Sequence, residues 1–176
     1  MRTIVVGNAL SFHTGDFTKF IDDFDIVCRI NRPAPFYSAM GHKTTFLYYG
    51  SAKKIPQHDW APGAGNYINI NYDIEEFTQK FDKDYQGKHN TQLRLSTGFI
   101  AIYHQLVMNP TITIIGFDWF ASSNWYEHQP RICHNYRYEK WHIENDPRIT
   151  VIQPPPVDVR PTYALPTLVP YQRLNT

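Results

Sequence analysis

Ile4-Val5-Val6-Gly7-Asn8, then apolar residues at helical spacing (Phe17, Phe20, Ile21, Phe24), then Asp25-Ile26-Val27-Cys28-Arg29-Ile30-Asn31: this stretch decides the fold. A short apolar run ending in a turn, an amphipathic helix and a second apolar run make one strand–helix–strand unit. The pattern continues outward. Thr44-Thr45-Phe46-Leu47-Tyr48-Tyr49 and Tyr67-Ile68-Asn69-Ile70-Asn71 read as strands, and residues 74–85 as a helix with Ile74, Phe77, Phe81 and Tyr85 on one face. Ser96-Thr97 open a helix over 98–108 as an N-cap pair. Thr111-Ile112-Thr113-Ile114-Ile115-Gly116 is a β-branched strand, 136–145 a helix, and Arg148-Ile149-Thr150-Val151-Ile152 a last strand. Alternation of this kind predicts a single α/β domain over 1–152, with a mainly parallel sheet and helices on both faces. Residues 153–176 hold six prolines, from Pro154 to Pro170, and are expected to form an extended strap, because proline continues neither a helix nor a central strand.

Composition narrows the function. With 176 residues the chain fits one core. Lys+Arg number 17 against 16 Asp+Glu, a net charge of +1, which argues against a nucleic-acid partner held by a broad basic surface. Aromatic content of 15% and low net charge speak for a folded chain. No apolar run reaches the roughly 18–20 residues of a spanning helix, and the apolar start is too short for a signal peptide. A cytoplasmic location is expected. Cys28 and Cys133 support neither a disulfide scaffold nor a zinc site, and Cys28 reads as a buried small hydrophobe.

Parallel sheets bind ligands beyond the carboxyl ends of their strands, so the residues there are the candidates. Gly7-Asn8 is either a plain turn or a close approach to a ligand phosphate; it lacks the G-x-G-x-x-G of dinucleotide sites. Asn31 either caps a turn or hydrogen-bonds a nucleotide. Ser96-Thr97-Gly98 forms a helix cap that also suits a carboxylate or phosphate. His128 and His134, after the last long strand, are candidates for acid–base work or inert surface histidines. The chain has no H-E-x-x-H, and no metal or cofactor is expected.

Taken in order, these segments resemble the motifs of animal-type sialyltransferases. Ile4 to Asn8, with Ile21-Asp22-Asp23-Phe24-Asp25-Ile26-Val27-Cys28-Arg29-Ile30-Asn31-Arg32, is similar to the long sialylmotif, a VVGN turn followed by I-D-x-x-D-x-V-x-R-x-N. Gly41-His42-Lys43-Thr44-Thr45 resembles the G-x-K-T-T segment after it. Leu95-Ser96-Thr97-Gly98 leading to Ile115-Gly116-Phe117 resembles the small motif, with Leu95 in place of its proline. Trp125-Tyr126-Glu127-His128 is similar to the third, aromatic-His motif, and His134 to Glu139 fits the very small motif, H-x4-E. The matches span roughly residues 4–143. The family's paired motif cysteines are not in their usual places, which fits a reducing compartment. The chain is also shorter than the family's usual catalytic domain, as a minimal bacterial or viral version would be.

The resemblance implies a Rossmann-like sialyltransferase-type variant of the GT-A fold. It implies inverting, metal-independent transfer of a 2-keto acidic sugar from a CMP donor to an oligosaccharide or glycolipid acceptor. Sialic acid is the default sugar and 3-deoxy-manno-octulosonate the alternative; peripheral membrane contact is compatible with a glycolipid acceptor. Gly7, Asn8, Asn31, Ser96, Thr97 and Gly98 would bind the nucleotide sugar. His134 would be the general base, His128 the cation on the leaving phosphate, and Glu139 a loop support reaching back to the start of its own helix. The rival reading is a non-catalytic nucleotide- or glycan-binding module of the same fold.

Overall fold

Among the described residues six strands run parallel: β1 (Thr3–Val6), β2 (Ile26–Ile30), β3 (Phe46–Tyr49), β4 (Asn66–Asn69), β5 (Ile112–Ile115) and β6 (Ile149–Val151), in the order β4-β3-β2-β1-β5-β6. The described residues also form four α-helices: α1 (Thr18–Asp22), α2 (Glu75–His89), α3 (Thr97–Met108) and α4 (Tyr136–Glu144). This computed structural model describes residues 1–12, 15–31, 40–50, 65–89, 91–119 and 134–153. His128, Trp125, Tyr126 and Cys133 lie outside the described residues, as does the proline-rich tail from Pro154 onward.

Period-two alternation divides the strand side chains between two cores. Ile4, Val6, Val27 and Ile115 meet Phe12, Ile21, Phe24 and Met40 on one face. Val5, Cys28, Ile30, Tyr48 and Ile114 meet Phe99, Ile100, Ala101, Ile102 and Leu106 of α3 on the other, with Tyr85 and Ile143 from α2 and α4. Both faces of the sheet are therefore covered, which is why the central strands read as unbroken apolar runs. Cys28 is buried as expected, and burial pushes its thiol pKa up, leaving it chemically inert. No helix among the described residues is long and apolar enough to cross a membrane.

Several element ends differ from the sequence reading, α2 running on to His89 among them, and two have a side-chain cause. β4 stops at Asn69 rather than Asn71, because Asp73 Oδ2 accepts the Asn69 N–H at 2.7 Å and Asn69 Oδ1 accepts the Asn71 N–H at 3.0 Å, an Asx turn that closes the strand. α1 ends at Asp22, whose carboxylate accepts the His42 and Lys43 N–H groups at 2.9 Å, so its side chain serves the distant turn at Gly41.

A polar chain crosses the α3 core. Thr3 Oγ1 donates to Asn109 Oδ1 (3.0 Å), Asn109 Nδ2 to Gln105 Oε1 (3.1 Å), and Gln105 Nε2 to Tyr48 Oη (2.7 Å). The Tyr48 phenol also shares a hydrogen bond with His104 Nδ1 at 2.7 Å. Burial holds the His104 pKa down, so the ring stays neutral.

Candidate functional site at the carboxyl edge of the sheet

β1 lies between β2 and β5, and its flanking crossovers leave in opposite directions, so the sheet has its topological switch point at the β1–β5 boundary. Gly7 and Gly116 follow these strands. Gly7 N–H donates to the Ile115 carbonyl at 2.7 Å and Ala9 N–H to the Gly116 carbonyl at 3.0 Å. A Cβ on Gly7 would lie 2.3 Å from the Gly116 carbonyl oxygen, and Gly116 sits at φ +80°. The absent side chain of Gly7 thus serves the contact between two strand ends.

Both predicted asparagines stand on this edge and tie neighbouring strands together. Asn8 Nδ2 donates to the Ile30 carbonyl at 2.8 Å, linking β1 to β2. Asn31 adopts φ +52°, a left-handed conformation that asparagine tolerates better than most residues. Its N–H donates to the Tyr48 carbonyl at 2.6 Å and its Oδ1 accepts the Gly50 N–H at 3.3 Å, linking β2 to β3. Each amide retains hydrogen-bonding groups that meet no partner among the described residues: the Asn8 oxygen and the Asn31 nitrogen.

The start of α3 reaches the same edge. A Cβ on Gly50 would lie 3.0 Å from the Thr97 hydroxyl, and one on Gly98 would lie 2.9 Å from Phe117, just past β5. Ser96 is the N-cap, its Oγ accepting the Phe99 N–H at 3.1 Å. Its hydroxyl donates to Glu139 Oε2 at 2.6 Å and its N–H to Glu139 Oε1 at 2.7 Å. The single Ser96 proton is therefore committed to a carboxylate, and that carboxylate opposes a second anion on the same hydroxyl. An anion at this helix end would be met by the Thr97 and Gly98 N–H groups and the Thr97 hydroxyl. Gly98→Val would also press on Phe117, so it cannot serve as a clean probe of ligand contact.

The H-x4-E spacing becomes a clamp on one short segment. His134 precedes Asn135, the N-cap of α4, and its Nδ1 donates to the Arg94 carbonyl at 2.9 Å. Leu95 N–H donates to Asp82 Oδ1 at 2.9 Å, and Ser96 is held by Glu139. Because a carbonyl only accepts, Nδ1 carries the proton in the neutral ring and Nε2 is its basic nitrogen. Glu139 is 1% exposed, and burial pushes its pKa up to about 7 against the pull of the two Ser96 hydrogen bonds, with Asp82 adding to the rise. Its carboxylate meets Ser96 at the start of α3; its inward position on α4 aims it across at the neighbouring helix rather than along its own.

Other residues stand outside the candidate site residues named from the sequence. Arg29, at 4% exposure, donates to the carbonyls of Lys43 and Met40 and to Thr44 Oγ1, so this motif cation holds a turn. Asp82 and Arg94 join the clamp, and no motif signalled Asp82. Ser11 Oγ donates to Asp118 Oδ2 at 2.8 Å, joining the turn after β1 to the segment after β5. Two Asp-x-Asp triplets are present, a spacing that can offer paired carboxylates to a cation. Asp82 and Asp84 point to different faces of α2, and Asp25 accepts the Arg2 N–H at 2.6 Å just before β2, away from the carboxyl edge.

No model of a known protein family matches the chain, and no curated protein matches it. Among solved structures it is similar to a mammalian sialyltransferase in complex with Gal-beta-1-3GalNAc-ortho-nitrophenol, with a TM-score of 0.61, 16% identity, and coverage of 88% of this chain and 70% of that one. A second mammalian sialyltransferase structure gives a TM-score of 0.60 and 17% identity over 88% of this chain and 69% of that one. At these identities the likeness speaks for architecture, and the fold of this chain is that α/β fold.

Proposed function

We propose that the protein is an inverting glycosyltransferase that moves a 2-keto acidic sugar, by default sialic acid, from a CMP donor to a glycan hydroxyl. The observation that carries this reading is the hydrogen bond from His134 Nδ1 to the Arg94 carbonyl, which makes Nε2 the basic nitrogen of a ring beside a helix start able to receive an anion. The strand-end amides of Asn8 and Asn31 supply the polar contacts for the nucleotide.

In the proposed step Nε2 of His134 takes the acceptor hydroxyl proton as that oxygen bonds to the anomeric carbon. The bond from this carbon to the phosphate oxygen breaks, CMP departs with the electron pair, and the configuration inverts. The first-turn N–H groups of α3 hold the sugar carboxylate where positive charge develops on the ring. His128 is proposed as the cation that receives the leaving phosphate. The route uses no metal, and chelation is expected to leave turnover unchanged.

Thermal-shift measurements with CMP, CDP, UMP, GDP and NAD test the nucleotide class, since a ligand at 100 times its Kd adds about 2.7 kcal/mol of stability. CMP is expected to raise Tm most. His134→Ala should keep that shift and lower donor turnover by roughly two to four powers of ten. CMP binding without turnover in the unaltered protein would identify a binding module, and no CMP shift would end the reading.

A further inference from the structure

Beside the His134 clamp, among the described residues, a cleft of about 360 Å³ opens between α2, the turn after β4 and the segment leading to Ser96. Its walls include Asn71, Glu75, Gln79, Asp82, Lys83 and Arg94. Glu75, Gln79 and Asp82 follow one another at helical spacing and form a polar stripe along α2. We infer that this cleft is a second saccharide subsite, which takes neutral sugar units of the acceptor next to the one that receives the transferred sugar. The inference rests on the glycosyltransferase reading above.

The lining chemistry selects the ligand. Two carboxylates, Glu75 and Asp82, balance two cations, Lys83 and Arg94, so the cleft does not favour an anion. Glu75 and Asp82 lie about 10 Å apart along the helix axis, too far to share a cation. Ile70 is the one apolar side chain in the lining, which argues against a lipid tail. What remains is a mixture of planar acceptors and donors, the set that matches neighbouring hydroxyl groups on a sugar ring. The volume falls at the lower end of small-molecule sites.

The cleft is also wired to the reacting side. Arg94 lines it while its carbonyl holds His134, and Asp82 lines it while holding Leu95, the residue before the α3 cap. A saccharide in the cleft therefore rests against the segment that orients the base and the anion site.

The test is an array of neutral, sialylated and phosphorylated oligosaccharides of increasing length, each presented on a polar spacer and on a lipid tail. The full chain should retain neutral oligosaccharides better than single sugars, equally in both presentations. Lys83→Ala with Arg94→Ala should weaken that retention about tenfold while the CMP thermal shift persists, since one or two hydrogen bonds are lost. Gln79→Leu, at an exposed position, is a second probe and should weaken it in the same direction. No oligosaccharide binding, binding that all the variants share, retention of charged glycans alone, or retention of lipid-linked forms alone would each overturn the inference. Oligosaccharide binding that depends on Lys83 and Arg94 without any CMP shift would instead leave the cleft standing and remove the nucleotide reading.

Discussion

Glu139→Gln isolates what the buried carboxylate does. In the folded protein its pKa is pushed up to about 7 from an ordinary 4.5, chiefly by burial. Glu139 is an acid whose folded pKa lies above its unfolded one, so between those values the folded state binds more protons and stability falls as pH rises. From about pH 5.5 to about pH 8 the ionisation of this one group should cost about 2 kcal/mol. Glutamine keeps the geometry: its Oε1 accepts the Ser96 N–H, and its Nε2 donates to Ser96 Oγ, which has two lone pairs for this bond and for the Phe99 N–H. The variant carries no titrating group, so its stability relative to the unaltered protein should rise by that same ~2 kcal/mol across the interval, or about 4–8 °C in Tm for a chain of this size. Urea titrations of both proteins at the two pH values read the difference directly. A gap that does not change with pH would refute the buried-carboxylate account. Glu139→Ala, which leaves the Ser96 N–H unpaired, should be about 2–4 kcal/mol less stable than the glutamine variant.

Gly7→Ala should destabilise severely, because its Cβ meets the Gly116 carbonyl oxygen at 2.3 Å with backbone on both sides; Gly98→Ala, against the ring of Phe117, should cost about 1–3 kcal/mol, and chemical denaturation ranks them. Tyr48→Phe should cost about 1–3 kcal/mol by stranding His104 Nδ1 and Gln105 Nε2. His104 is a base with a lowered folded pKa, so its contribution is complete above its ordinary value and lost as pH falls below about 6.5; an acid-side melting series on His104→Gln should show a shallower decline, and an equal decline would show that the ring is not held neutral. Asn8→Ala and Asn31→Gly, the latter preserving the left-handed backbone, should each weaken CMP by about 1–3 kcal/mol by calorimetry, and unchanged affinity in both would remove the nucleotide from this edge.

The alternation of apolar runs and helical spacing was enough to place the six strands and four α-helices of the described residues, because both periodicities are local properties of the chain. Ser96 as an N-cap was equally legible, since capping joins residues three apart. The H-x4-E spacing marked His134 and Glu139 but not what they hold. That depended on α4 packing beside the start of α3, which brings together groups separated by 40 and 43 residues. Asp82 looked like one more polar residue on a helix until the fold set it against Leu95, and the Thr3–Asn109–Gln105–Tyr48–His104 chain has no signature at all. Gly7 shows the division most clearly. The sequence marked a glycine after a strand, and only the opposing carbonyl of Gly116, more than a hundred residues away, decided that its missing side chain makes room for backbone. Local order follows from neighbours along the chain, whereas partners, burial and the pKa values they produce exist only once distant segments meet.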